Sequence, residues 1–325
     1  MADLLYLLRE TSAYKTVLSD KKADRLSHAY LVISADKSNI GEYLKLFAKL
    51  IMTDGGAADE RAVRLIEEGV HPDVLIFPRK DDTVKSEDVS AIIEESFFKP
   101  IESNKKIFLV NGGETMNAVS QNKLLKTLEE PPSGVYILIG ATNEYALLST
   151  LKSRVKKLVI PPYPAEKLFD ALKGECTDEE KLFDAVSCGD GTVGKALALY
   201  GDENLSQTIE VAEDTFINMQ SSRDVLAFSN RIMRLKDGVK GYISVMELLI
   251  RDLMLYYNGG IDAVFNKKFL QKVKNAKGFN AGATVYIAEK AAEAERRLDA
   301  NGNAQTVLER FLFAFLEGKH KWQKL

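Results

Sequence analysis

Apolar residues come as short unbroken runs in the first half of the chain and at helical spacing in the second. Residues 29–33 read AYLVI, 74–77 VLIF, 107–110 IFLV, 135–139 VYILI and 157–160 KLVI. Each is short and rich in strand formers, which predicts five buried strands. Between the first two, Leu44, Phe47, Ala48 and Ile51 recur at the period of a helix over residues 42–51. Ser86-Glu87-Asp88 reads as the start of a helix that carries Val89, Ile92, Ile93 and Phe97. Residues 119–130 form a helix that Pro131-Pro132 stops, because proline disfavours helical backbone at the residue before it. Continuous apolar strands separated by helices predict an α/β core with a parallel sheet covered on both faces.

Pro161-Pro162-Tyr163-Pro164 ends this pattern and reads as a linker. Beyond it the strand-like runs stop. Leu168, Leu172, Leu182, Val186, Ala196 and Leu199 mark two or three short helices up to about Gly201. From about Gln207 the spacing is helical to the end, most apolar over residues 242–257 and 307–316 (VLERFLFAFL). That last apolar face is wider than one surface helix needs. Burial inside its own domain and burial against a neighbouring chain both account for it.

A chain of 325 residues predicts two or three domains. Its formal net charge of -3 argues against a generally basic nucleic-acid binder, so any DNA contact is local or indirect. No apolar run approaches the roughly 20 residues needed to cross a bilayer, so no membrane partner is expected. The N-terminus, MADLLYLLRETSAYK, carries Asp3, Arg9 and Glu10 among its apolar residues and reads as no signal peptide. Cys176 and Cys188 are the two cysteines, which suits a reducing cytoplasm and argues against a disulfide framework.

Residues 120–154 hold the most informative segment: SQNKLLKTLEEPPSGVYILIGATNEYALLSTLKSR. A helix ends in Leu128-Glu129-Glu130-Pro131-Pro132, a buried strand leads to a polar Thr142-Asn143 tip, and Ser153-Arg154 precedes the next strand. This order resembles the ATPase core of DNA polymerase clamp loaders, an AAA+ family, and among them the delta-prime type of the DNA polymerase III loader. The resemblance implies a P-loop-type parallel five-stranded core over residues 1–162, a small helical lid over 163–205 and an all-helical collar, used for oligomerisation, over 206–325. It is specific in the core, loose in the lid and mostly positional in the collar.

After its entry strand the family places a loop of the type G-P-x-G-x-G-K-T. The matching stretch is Ser34-Ala35-Asp36-Lys37-Ser38-Asn39-Ile40-Gly41. Ile40 stands at the phosphate-lysine position and Gly41 at the magnesium-hydroxyl position; Lys37 falls three positions too early. Such a loop aims backbone N–H groups at phosphate while a lysine neutralises charge. A charge-assisted hydrogen bond contributes about 1.5–3 kcal/mol, so losing two or three weakens a micromolar site roughly a thousandfold or more. The family's acidic magnesium motif is replaced by Asn111-Gly112-Gly113-Glu114, in which only the last residue is acidic. Two departures of this kind imply a subunit that holds no ATP and no Mg²⁺ and does not hydrolyse nucleotide by itself.

Ser153-Arg154 matches the first two residues of the family's Ser-Arg-Cys motif, with Val155 in place of the cysteine. The resemblance implies an arginine finger: Arg154 reaching ATP on the adjacent subunit, with Ser153 supporting its loop. A planar, permanently charged fork suits phosphate oxygens. The competing reading is a surface arginine in a basic stretch with Lys152, Lys156 and Lys157. Thr142-Asn143 lies where active members keep a polar sensor, and is read here as capping a turn. The lid stretch 187–197 lacks an evident sensor arginine, for which Lys195 is a poor substitute. Many bacterial relatives carry four zinc-binding cysteines ahead of a His-Pro-Asp motif. Residues 53–70 hold none, so no zinc is expected and His71 is read as structural.

The expected role is thus a non-hydrolysing delta-prime-like subunit, working in the DNA polymerase holoenzyme in the cytoplasm. Its implied partners are tau/gamma-type and delta-type loader subunits, with the sliding clamp and primed DNA in the assembly. A clamp-opening delta-type subunit, a divergent active AAA+ ATPase and a helical adaptor unrelated to replication are the alternatives.

Overall fold

The computed structural model describes residues 4–53, 59–79, 83–236, 238–261, 264, 266–273 and 278–321. Asp3 and part of the stretch 53–70 lie outside them. The chain divides into two compact units, Met1–Tyr163 and Pro164–Leu325.

In the first unit α1 (Leu4–Arg9) and α2 (Ser12–Lys22) precede β1 (Ala29–Ser34), α3 (Ile40–Met52), α4 (Asp59–Glu68) and β2 (Val74–Phe77). Then come α5 (Ser86–Ser96), β3 (Lys106–Asn111), α6 (Ala118–Glu129), β4 (Val135–Ala141), α7 (Ser149–Lys152) and β5 (Lys156–Ile160). The five strands form one sheet in the order β2-β3-β4-β1-β5, and every pairing is parallel. The expected α/β sheet is borne out strand by strand. Alternate residues face opposite sides, as a period of two requires. Ala29, Leu31, Phe108, Val110, Ile137 and Ile139 share a core with Val89 and Ile92 of α5 and Leu124 and Leu128 of α6. On the other side α3 lies so close to β4 that a Cβ on Gly140 would come within 2.3 Å of Ile40 Cγ2. Gly140 is the residue that lets this helix dock.

The caps explain where these helices begin. Asn117 accepts a hydrogen bond from Ser120 N at the start of α6, and the Asp88 carboxylate accepts one from Lys85 N (2.9 Å) at the start of α5. Helices α1, α2, α4 and α7 went unassigned in the sequence. Two of them are polar: α2 buries only Ala13 and Val17. Its Lys21 Nζ donates to the carbonyls of Leu50 (2.8 Å) and Thr53 at the end of α3, a tertiary cap without periodic signal.

The second unit is helical throughout its described residues: α8 (Ala165–Leu172), α9 (Glu179–Ser187), α10 (Val193–Gly201), α11 (Leu205–Asn218) and α12 (Ser222–Ile232), then α13 (Gly238–Tyr257), α14 (Lys267–Val273), α15 (Ala281–Asp299) and α16 (Ala304–Lys321). Phe216 sits at the centre of its core, with ring centroids of Phe269, Phe315 and Phe279 at 5.0, 5.1 and 5.5 Å. The apolar face of α16 is spent mostly inside this unit: Val307, Leu308, Phe311, Leu312, Phe315 and Leu316 are buried, while Phe313 is half exposed. Both cysteines are free and buried.

Lys319 is buried too, 1% exposed, and its Nζ donates to the carbonyls of Phe216 and Met219, each at 3.0 Å. It thereby caps the end of α11. Burial pushes its pKa from the ordinary 10.5 down to about 8. Between those values the unfolded chain keeps a proton that the folded chain has lost, so stability rises with pH across that window. The stability advantage of the parent over Lys319→Met should therefore grow from below pH 8 to above pH 10, by urea unfolding at each pH. A difference that stays flat would contradict the assignment.

Candidate functional site

Strand β1 ends at Ser34, and the chain turns over a short 3-10 segment, Lys37–Asn39, into α3. Asp36 holds this turn together. It is buried, its N–H donates to Ser34 Oγ (3.2 Å), and its carboxylate accepts from Asn39 Nδ2 (3.0 Å to each oxygen). The loop is thus closed by its own side chains, with a carboxylate at its centre. Ile40 is 1% exposed and packs on the sheet at Gly140. At the position of a phosphate lysine the chain has a core residue. Tyr43 and Tyr163 are buried nearby; burial drives both hydroxyls upward, Tyr163 to about 12.

The second motif closes against the first. A Cβ on Gly41 would meet Asn111 Nδ2 at 3.3 Å, so the Asn111 side chain lies against the start of α3. Gly112 takes φ 85°, the left-handed region that suits glycine, and Gly113 approaches Ile139 so closely that a Cβ would fall 2.5 Å from its Cγ2. Gly112 and Gly113 thus turn the chain out of β3. Glu114 accepts from both Thr142 N (3.2 Å) and Thr142 Oγ1 (2.6 Å). The one acidic residue of the motif is therefore tied to the tip of β4. Asn143 Oδ1 accepts from Tyr145 N (3.1 Å), the turn cap expected of it. Among these residues no lysine, hydroxyl and carboxylate converge where a phosphate and its metal would need them; the donor set does not fit a magnesium nucleotide.

Ser153 and Arg154 follow α7 directly. Arg154 Nε and Nη2 reach Glu129 Oε1 at 2.6 and 2.5 Å, while Nη1 donates to Thr150 O (2.8 Å) and Ser153 Oγ (3.1 Å). Ser153 Oγ in turn donates to Thr150 O (3.0 Å). The structure thus joins Ser153, Arg154 and the end of the α6 motif into one cluster. The surrounding cations have other partners: Lys156 pairs with Asp20 and Lys157 with Glu144, each at 2.6 Å.

Three contributors were missed in the sequence. Glu129 was seen only as part of a helix end, 25 residues before its partner. Gln121, 2% exposed, donates through Nε2 to Met116 O (2.9 Å) and Ala146 O (3.0 Å) and accepts from Leu148 N (2.8 Å). It fixes α6 to the segment that leads into α7, using both of its N–H donors and its carbonyl oxygen. His28 Nε2–H donates to Leu128 O (2.8 Å) and so ties β1 to the end of α6. Periodicity marks none of these; a buried Gln and a capping His are visible only once α6 has neighbours.

His71-Pro72-Asp73 is structural in a specific way. His71 Nδ1 accepts from Asp73 N (3.0 Å), and burial lowers the ring's pKa. Asp73, fully buried, accepts from the backbone N–H groups of Ile101 (2.6 Å), Glu102 (2.8 Å) and Ser103 (2.9 Å). The segment it anchors exposes Phe97 (74%), Phe98 (65%) and Ile101 (76%). Among the described residues no group of three or more His, Cys, Asp or Glu could hold a metal ion, and no helix is long and apolar enough to cross a membrane.

Residues 10–164 match a family described as DNA polymerase III, delta subunit. Over nearly its whole length the chain is similar to the DNA polymerase III subunit delta' of Bacillus subtilis (strain 168), 23% identical, with 94% of this chain and 95% of that one covered. It is 29% identical to subunit delta' of Escherichia coli (strain K12) over 44% of each chain, so it spans under half of that relative. Among solved structures it resembles a DNA polymerase III gamma subunit-related protein of Thermotoga maritima, with 21% identity, a TM-score of 0.46, and 94% of this chain and all of that one covered. The match over residues 10–164 and the likeness to a delta' subunit over nearly the whole chain agree with the Ser153-Arg154 loop and its setting: this chain is similar to DNA polymerase III subunits of the delta and delta' type.

Proposed function

We propose that this chain is a non-hydrolysing, delta'-like member of the loader that lends Arg154 in trans to ATP held by an adjacent subunit. The observation that carries this reading is a contrast within one domain. The Ser153–Arg154 loop is built and braced, while the domain's own nucleotide positions are filled by Ile40 and by Asn111 against Gly41. Residues 163–205 act as the lid and 206–325 as the collar that joins tau/gamma-type and delta-type subunits. The ring opens a sliding clamp and places it on primed DNA. The chain itself holds neither ATP nor Mg²⁺, nor zinc.

Mixing the chain with the organism's other loader subunits should give a single stable complex on size exclusion. Calorimetric titration of the isolated chain with ATP and magnesium should give no binding at micromolar concentrations. Clear micromolar affinity would sink the non-hydrolysing assignment and favour a divergent ATPase; elemental analysis finding about one zinc per chain would overturn the metal assignment.

One observation favours a second reading, a clamp-opening delta-type subunit. Phe97, Phe98 and Ile101 present an apolar surface on a loop pinned by Asp73. Exposed aromatic side chains of this kind serve as interface anchors. If this chain is the clamp opener, a Phe97→Asp, Phe98→Asp double variant alone abolishes clamp opening. In the delta'-like reading the loader with this variant still opens the clamp.

A further inference from the structure

We infer that Glu129 withholds Arg154 from the neighbouring nucleotide, so that the finger acts only after their ion pair opens. This rests on the arginine-finger reading above and adds a control to the same residue.

The geometry is one of occupancy. A guanidinium offers five N–H donors. Nε and Nη2 spend one each on Glu129 Oε1, and Nη1 serves Thr150 O and Ser153 Oγ. That leaves one Nη2–H uncommitted. The edge formed by Nε and Nη2 is an edge that grips phosphate oxygens in pairs, and here a carboxylate occupies it. Glu129 also offsets the charge that the finger would bring to a phosphate. An arginine held this way is braced at home and poor at stabilising charge elsewhere.

Glu129 is well placed to do this. It is the last residue of α6, stopped by Pro131-Pro132. The preceding Leu128 is buried, and its carbonyl is held by His28. Gln121 fixes the same helix to the segment before α7. The carboxylate and the guanidinium are thus carried on two elements whose spacing is set by buried hydrogen bonds. The pair itself is weak. Its side chains are 33% and 48% exposed, and such pairs contribute about 0–1 kcal/mol. A polyphosphate, with more charge and more acceptor oxygens, displaces it at small cost. The lock is therefore shallow enough to open when the ring brings a neighbour's phosphate close, and deep enough to bias the resting ring.

The test uses the reconstituted loader. ATP hydrolysis is measured without and with clamp and primed DNA for the parent, Glu129→Gln, Arg154→Ala and the double variant. Glu129→Gln is nearly isosteric and should raise hydrolysis without clamp and DNA, by up to about fivefold for a pair of this strength. Stimulation by clamp and DNA should shrink correspondingly. The rise should vanish in the Arg154→Ala background, because Glu129 acts through Arg154. Glu129→Ala should behave alike. In the isolated chain the Arg154 Nε–H should exchange with solvent faster in Glu129→Gln than in the parent by NMR, at an unchanged melting temperature. If Arg154→Ala lowers hydrolysis but Glu129→Gln leaves it unchanged or lowers it, Glu129 does not withhold the finger and this inference is wrong while the finger stands. If Arg154→Ala has no effect in an intact complex, the finger reading fails first and this one with it.

Discussion

Arg154→Ala should leave the chain folded and assembled yet slow ATP hydrolysis at one neighbouring site of the loader. The fold should tolerate it because Arg154 and Glu129 are both partly exposed. Substitutions in such settings usually change stability by about ±0.5 kcal/mol. The rate should not tolerate it. An arginine finger contributes about 10³–10⁵ to phosphoryl transfer at its own site, by stabilising charge that develops in the transition state. A ring with several sites dilutes that loss, since the others keep their own fingers. Total hydrolysis should fall in part, and clamp loading by more. Arg154→Lys should rescue poorly, because an ammonium keeps the charge but lacks the planar fork that meets phosphate oxygens in pairs. Steady-state hydrolysis and clamp-loading rates of the purified complexes decide the matter. Parent-level values for both in Arg154→Ala would make Arg154 an ordinary surface arginine.

The parts of this molecule that were legible in its sequence share one physical trait: their signal is local. The five strands are unbroken apolar runs because both faces of a parallel sheet are covered, and each appears where its run predicts. The helix before Pro131-Pro132 and the short helices after Pro164 were legible for the same reason. The polar helix α2 was not. Its stability comes from Ala13, Val17 and the reach of Lys21 to another helix, which no window of the sequence contains. The site divides along the same line. Ser153-Arg154 and the altered loop Ser34–Gly41 could be located by order along the chain. That Ile40 is a core residue docked on Gly140, that Glu114 is spent on Thr142, and that Glu129 holds Arg154 are facts of tertiary pairing. Charges separated by 25 residues carry no periodicity that would announce their meeting.

Asp73 shows how a short motif without chemistry can have the largest effect on the fold, and Asp73→Ala should be among the most destabilising single changes in the first unit. The side chain is fully buried and accepts three backbone N–H groups, from Ile101, Glu102 and Ser103. Hydrogen bonds to a charged group contribute about 1.5–3 kcal/mol each, and removing the acceptor strands donors that have no water to turn to. The losses are not additive, because the loop can relax toward solvent. A net cost of about 3–5 kcal/mol is expected, the range for removing one partner from a buried charged network. Asp73→Asn keeps one carbonyl oxygen but turns an N–H₂ group toward a donor, so it should recover only part of the loss. The check is urea unfolding of the full chain, with a lower midpoint at an unchanged slope. The loop that Asp73 pins also carries Phe97 and Phe98, so these aromatics should gain mobility in the variant, visible as faster backbone amide exchange over residues 97–103. Arg154 is not in that network, and in an assembled loader the finger's contribution should persist. A midpoint within error of the parent would mean that the three N–H groups find other acceptors, and that the buried carboxylate is dispensable to the loop.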